Sequence, residues 1–104
     1  DLTLMHGTLV RQGSGASAKA HFQKYGVTMI HGHSHRDGKF TKRVLTGFKA
    51  VWENYCLCDL DPEYDEFPDW TQGFSKVTMV GNRPLIEQIF IAGHKYIYNG
   101  RIWE

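Results

Sequence analysis

The chain has 104 residues, 12 Lys and Arg against 11 Asp and Glu for a formal net charge of +1, and 41% hydrophobic residues. That length supports one small core and argues against two, and the apolar content is too high and the net charge too low for a disordered chain. No apolar run approaches the ~20 residues needed to cross a bilayer, and no N-terminal signal pattern argues for secretion.

In chain order, Leu2 to Met5 predicts a short buried strand, and Gly7, Gly13, Ser14 and Gly15 mark a loop. Ala16 to Tyr25 predicts a helix with Ala18, Phe22 and Tyr25 on one apolar stripe. Ser14 or Ser17 is suited to cap its start, and Gly26 to end it in a left-handed conformation. Val27 to Ile30 follows as a β-branched, apolar strand. This is a β-α-β unit, so its two strands should be parallel, with their carboxyl ends on one side of the sheet. The remainder is expected to be mostly antiparallel. Val44 to Leu57 alternates in character, residues 59–72 form a loop with six acids and two prolines, and Phe74–Val80 and Leu85–Ala92 flank a turn. Tyr96–Tyr98 and Arg101–Trp103 flank Asn99-Gly100, a strong two-residue hairpin signal. The fold class is thus α/β, one β-α-β unit followed by a mostly antiparallel region, as a single domain or partial domain over 1–104.

Three features bear on function. Residues 1–49 carry eight Lys/Arg against two acids, a balance of +6, and residues 50–104 carry four against nine, a balance of −5; the basic half suits an anionic ligand such as phosphate. Six histidines is a high count, and His31, His33 and His35 lie within five residues. The strand order brings His6, after the first strand, to the same edge as Gly32-His33-Ser34-His35, after the second. Imidazoles at i and i+2 of an extended segment project to one side, behind a glycine that lets the backbone approach an ion. Cys56 and Cys58 are the only cysteines; with no further ligand at metal spacing nearby, they read as buried strand thiols. His21 and His94 read as structural or surface residues, and His31 as facing the sheet.

Gly32-His33-Ser34-His35 matches the G-H-x-H signature of calcineurin-like metallophosphoesterases. His6-Gly7, Arg11, Ser14-Gly15, Ser17-Ala18 and Arg36, then Cys56-Leu57-Cys58-Asp59-Leu60 and Asp69-Trp70-Thr71-Gln72-Gly73-Phe74, resemble the phage and prophage members of that superfamily over most of the chain. The resemblance implies the C-terminal part of an α/β sandwich and hydrolysis of a phosphomonoester or phosphodiester with two divalent metals, Mn²⁺ foremost, with Zn²⁺, Fe²⁺ or Ni²⁺ as alternatives. By analogy His6 and His33 ligate one metal and His35 the other, while Arg11 and Arg36 contact substrate phosphate. It also implies the cytoplasm of a bacterial host. The superfamily's D-x-H, G-D-x-x-D and G-N-H-[DE] motifs, which precede the matched segment, do not occur here. With them go the bridging carboxylate and an Asn ligand. The start at Asp1 without Met fits a piece of something longer, so a missing N-terminal half is the expected partner, with homo-oligomerisation as another way to cover the sheet. Two rivals stand beside this reading. One is a non-catalytic metal- or protein-binding module, and the other a nucleic-acid-binding domain using the basic half; on the phosphoesterase reading, nucleic acid enters only as substrate.

Overall fold

The computed structural model describes residues 2–60 and 69–104. The β-α-β unit expected at its start is present. Strand β1 (Thr3–Met5), helix α1 (Ala16–Tyr25) and strand β2 (Met29–His31) form the β-α-β unit, with β1 and β2 parallel. Gly26 ends α1 at φ 66°, its N–H donating to the Phe22 carbonyl. The start of α1 differs from expectation. Gly15, at φ 76°, occupies the cap, and neither Ser14 nor Ser17 bonds to it as a side-chain cap.

Two further strands follow as a hairpin, β3 (Asp37–Val44) and β4 (Gly47–Asn54). The sequence signals only the second of these, because β3 is mostly polar and exposed. The larger correction concerns direction: β4 pairs with β2 in parallel, Ile30 opposite Trp52, so the sheet runs β1-β2-β4-β3 with three parallel strands. Antiparallel pairing, expected throughout the remainder, holds for β3 against β4 and for the hairpins beyond β4. Strands β5 (Gln72–Val80) and β6 (Arg83–Ile91) form one hairpin, β7 (Tyr96–Tyr98) and β8 (Arg101–Trp103) another. Asn99 and Gly100 both take positive φ, as a tight primed turn requires. Most of the acidic loop, 61–68, lies outside the described residues.

The four-stranded sheet is apolar on both faces. Helix α1 covers one, where Ala18 meets Met29 and Val51, with Met5, Phe22 and Phe40 alongside. On the other, Ile30, Ala50 and Trp52 meet Leu2 and Ile86 of β6. Tyr25, the third residue of the expected helix stripe, is exposed, and His21 and Ser17 are buried in its stead. Nor is β1 the buried strand expected: it lies at the sheet edge and leaves Leu4 72% exposed.

A polar network crosses this core. Glu53, at the end of β4, is fully buried. Its Oε1 accepts from the Ser34 hydroxyl at 2.9 Å and lies 3.9 Å from Arg36 Nε. Its Oε2 accepts no hydrogen bond of good geometry; the N–H groups of Ala18 and Gly15, at the start of α1, act on the carboxylate as dipoles. The buried Arg36 donates to Asp69 at 3.0 Å, to Ser17 Oγ at 2.9 Å and to the Arg11 carbonyl. Ser17 Oγ in turn accepts from the Arg11 N–H at 2.7 Å. Burial pushes the Glu53 carboxyl above the usual carboxylate range, against the opposing pull of Ser34 and Arg36.

Removing one partner of a buried charged pair strands the other, so Glu53→Ala is expected to destabilise the fold by about 3–5 kcal/mol in chemical denaturation. The native state holds the Glu53 proton more tightly than the unfolded chain. Its contribution to stability is therefore complete below the ordinary carboxylate pKa and is lost as pH rises through the raised value. Glu53→Gln should flatten that part of the stability–pH curve, and an unchanged slope would show that Glu53 does not set it.

Candidate metal centre

The carboxyl ends of β1, β2 and β4 open on one edge of the sheet, and each delivers donor side chains there. His6 follows β1, His33 and His35 follow β2, and Cys56 and Cys58 follow β4.

His6 and His33 meet directly, His6 Nε2 to His33 Nδ1 at 3.1 Å, both exposed, with the rings edge-on at 5.0 Å. Two imidazole nitrogens each ~2.0–2.1 Å from one ion stand about 3.0–3.4 Å apart, so this pair already has the separation of two ligands on one metal. Among the described residues no third His, Cys, Asp or Glu completes a cluster with them. Both His33 and His35 hold left-handed backbone conformations, φ 71° and 57°. Such conformations are sparsely populated for non-glycine residues and persist where the surroundings enforce them.

The enforcement at His6 comes from two buried histidines. His21 and His31 stack with ring centroids 3.8 Å apart. His21 Nδ1 lies 2.8 Å from the Ser17 carbonyl and its Nε2 accepts from the Thr8 N–H, so it is a satisfied core residue, as expected. His31 Nδ1 bonds the Gly32 carbonyl at 2.8 Å, while its Nε2 is buried without a partner. Burial lowers the His31 pKa to about 4, with a further electrostatic lowering from His21 and His33, so the His31 ring is neutral at physiological pH. Gly7 lies directly on it. A Cβ there would stand 2.9 Å from His21 Nε2 and 3.2 Å from His31 Nδ1, and φ is 86°. The His6-Gly7 dipeptide therefore couples a candidate ligand to the one residue type that can pass over the stack.

His35 faces elsewhere. Its Nδ1 lies 3.8 Å from Cys58 Sγ, and Trp70 packs edge-on against its ring at 4.4 Å. His35, Cys56 and Cys58 present donor atoms all within 4.8 Å of one another. The His35 pKa is lowered, chiefly by burial and then by the nearby His33 and His6, so the two histidine groups sense each other electrostatically. The thiol assignment from sequence is corrected here. Cys58 is exposed, Cys56 half-buried, neither lies within a regular strand, and a third ligand-type side chain is at hand. The missed signal was β4: once it runs parallel to β2, its carboxyl end must share the histidines' edge.

The two arginines also separate. Arg11 is exposed, its guanidinium bonding only the neighbouring Val10 carbonyl in the contacts described. Arg36 is buried, and its two terminal nitrogens are taken by Asp69, Ser17 and Arg11. The geometry makes Arg36 a positioning residue, an outcome the sequence did not anticipate. The Asp69–Gly73 segment acts as a clasp on the same loop. The Thr71 N–H donates to the His35 carbonyl at 2.8 Å and its carbonyl accepts from the Cys56 N–H, while Gln72 donates to the Cys58 carbonyl. Gly73 has no room for a side chain, a Cβ there falling 2.6 Å from the Tyr55 ring.

No family model matches the chain, and no solved structure matches it. Among curated proteins it is similar to the Gene 54 protein of Mycobacterium phage D29, 27% identical, and to that of Mycobacterium phage L5, 26% identical. Each alignment covers 94% of this chain and 41% of the relative, so the chain spans about two-fifths of the length of the curated relatives it matches.

Gly7→Ala is expected to cost more than ~1 kcal/mol of stability, because the residue combines positive φ with no space. It should also weaken metal binding by moving His6. Thermal unfolding together with metal titration checks both, and an unchanged melting temperature would show that the chain adjusts around the methyl group.

Proposed function

We propose that this chain forms the C-terminal part of a two-metal phosphoesterase with an α/β sandwich fold, phage-encoded and acting in the cytoplasm of the bacterial host. The observation that carries the reading is the His6–His33 pair, 3.1 Å apart where two parallel strands end. Ligand sites in open α/β sheets lie beyond the carboxyl ends of their strands. The G-H-x-H segment and His6-Gly7 support it, and similarity to two phage proteins supports the phage-encoded part of the reading alone.

In this reading His6 and His33 hold one divalent ion, Mn²⁺ foremost, and His35 contributes to a second. Divalent ions supply Lewis-acid polarisation of a phosphate ester when bound. The chain's own residues do the rest. The buried His21–His31 stack and Gly7 hold His6 on station, and Arg36 fixes the Arg11 main chain. The exposed Arg11 guanidinium binds and orients the anionic phosphate. An oxygen-rich complement, a carboxylate above all, is the partner such a site needs, since two adjacent cations without a bridging anion repel strongly. An N-terminal half provides it.

A non-catalytic module is the second reading, and one observation favours it: no described carboxylate approaches the His6–His33 pair. The discriminating experiment uses the chain with and without an N-terminal segment bearing the missing D-x-H, G-D-x-x-D and G-N-H-[DE] motifs. Alone with Mn²⁺, it is expected to hydrolyse nitrophenyl phosphate esters barely; with the complement, hydrolysis should rise at least ~100-fold and Arg11→Ala should raise KM. His33→Ala should at least halve the bound Mn²⁺ measured by elemental analysis. Failure of the complement to restore hydrolysis selects the module.

A further inference from the structure

A second donor group stands apart from the His6–His33 pair: His35 Nδ1, Cys56 Sγ and Cys58 Sγ, all within 4.8 Å of one another. In a tetrahedral site with metal–sulfur bonds of about 2.3 Å and metal–nitrogen bonds of ~2.0–2.1 Å, donor atoms stand roughly 3.5–3.8 Å apart. His35 Nδ1 and Cys58 Sγ are already at 3.8 Å. Bringing the whole set onto one ion needs contractions of at most about 1.3 Å, within the reach of side-chain rotation. Two thiolates and one imidazole are a soft donor set, the kind that selects zinc over manganese or magnesium.

The surroundings hold these donors in place. The clasp of Trp70 to Gly73 touches each of them. Trp70 packs on the His35 ring, and the Thr71 N–H holds the His35 carbonyl. The Thr71 carbonyl and the Gly73 N–H fix both backbone groups of Cys56, and Gln72 holds the Cys58 carbonyl at 2.8 Å. Fixing the backbone of every ligand from one neighbouring segment is the outer-shell support that metal sites need. Cys58 is exposed, so an ion reaches the site from solvent.

We propose that His35, Cys56 and Cys58 form a thiolate-rich zinc site, three protein ligands with the fourth position left to water or an external ligand. It is separate in composition from the His6–His33 pair, and the proposal does not require the phosphoesterase reading. Zn²⁺ there ties the end of β4 to the loop after β2, and it draws His35 away from any site built on His6 and His33.

The test is a Co²⁺ titration of the reduced chain, with Zn²⁺ displacement afterwards. The expected result is a thiolate-to-cobalt charge-transfer band that saturates at one ion per chain and that Zn²⁺ abolishes. The band should persist in a His6→Ala, His33→Ala double variant, which removes the other pair. Cys58→Ser, at an exposed position that the core does not need, should weaken Co²⁺ binding at least ~100-fold, more than loss of outer-shell support alone. His35→Ala should leave a weaker band at altered energy, and circular dichroism checks that each variant stays folded. Absence of the band at saturating Co²⁺, or an unchanged band in folded Cys58→Ser, overturns the site. Loss of the band in the His6, His33 double variant also overturns it, since the donors would then be one shared centre. None of these outcomes depends on hydrolysis with the N-terminal complement, so the two readings fail separately.

Discussion

The buried pair of Glu53 and Arg36 is the constraint on which the rest of the molecule depends. A carboxyl group with no exposed surface and a guanidinium at 8% exposure stand inside a domain whose two apolar clusters have only three buried members each. Glu53 lies at the carboxyl end of β4, Arg36 at the end of the histidine loop, and both act on the start of α1, through the Gly15 and Ala18 amides and through Ser17. These three elements are thereby locked in one arrangement. A buried ion pair is poor evidence for added stability, because desolvation offsets most of the attraction. What it does here is fix geometry: few positions of the histidine loop satisfy Arg36, Ser34 and Glu53 together.

That constraint explains how a loop with left-handed residues at His33 and His35 keeps a single conformation. The strain at each, about 1–3 kcal/mol, has to be outweighed nearby. The Arg36 hydrogen bonds on one side and the Thr71 bond to the His35 carbonyl on the other supply that holding force. Gly7 and the His21–His31 stack do the equivalent work for His6. Five of the six histidines thus divide by their place in the fold: His21 and His31 are buried packing, and His6, His33 and His35 stand at the sheet edge.

Much of this was legible in the sequence, and the limits have physical causes. The helix over 16–25, its glycine terminus and the hairpin at Asn99-Gly100 depend on local chemistry, which spacing and residue type report directly. The approach of His6 to His33 followed from a β-α-β unit, whose handedness and parallel pairing are general rules. Arg36 misled because burial of an arginine depends on partners 17 to 33 residues away, Glu53, Ser17 and Asp69, and no local pattern announces them. The cysteines misled because β4 pairs with β2 across the β3 turn, a non-local choice. A polar β3 gives β4 the look of an isolated antiparallel strand, yet β4 lies inside the sheet with neighbours on both edges.

The donor atoms at this edge differ in what they need from outside the chain. His6 and His33 are imidazoles with no described carboxylate beside them, so a hard ion such as Mn²⁺ finds two nitrogens and none of the carboxylate oxygens it prefers, and must draw oxygen donors from elsewhere. His35, Cys56 and Cys58 bring two thiols and need nothing more than water. If both proposals hold, one parallel sheet edge presents an incomplete hard site and a nearly complete soft one, with His35 electrostatically coupled to both histidines of the first. Because a single imidazole nitrogen serves one ion at a time, filling the soft site with zinc removes a ligand from the hard one. On the two proposed readings, metal supply, as well as an oxygen-bearing complement, would set which centre the edge assembles.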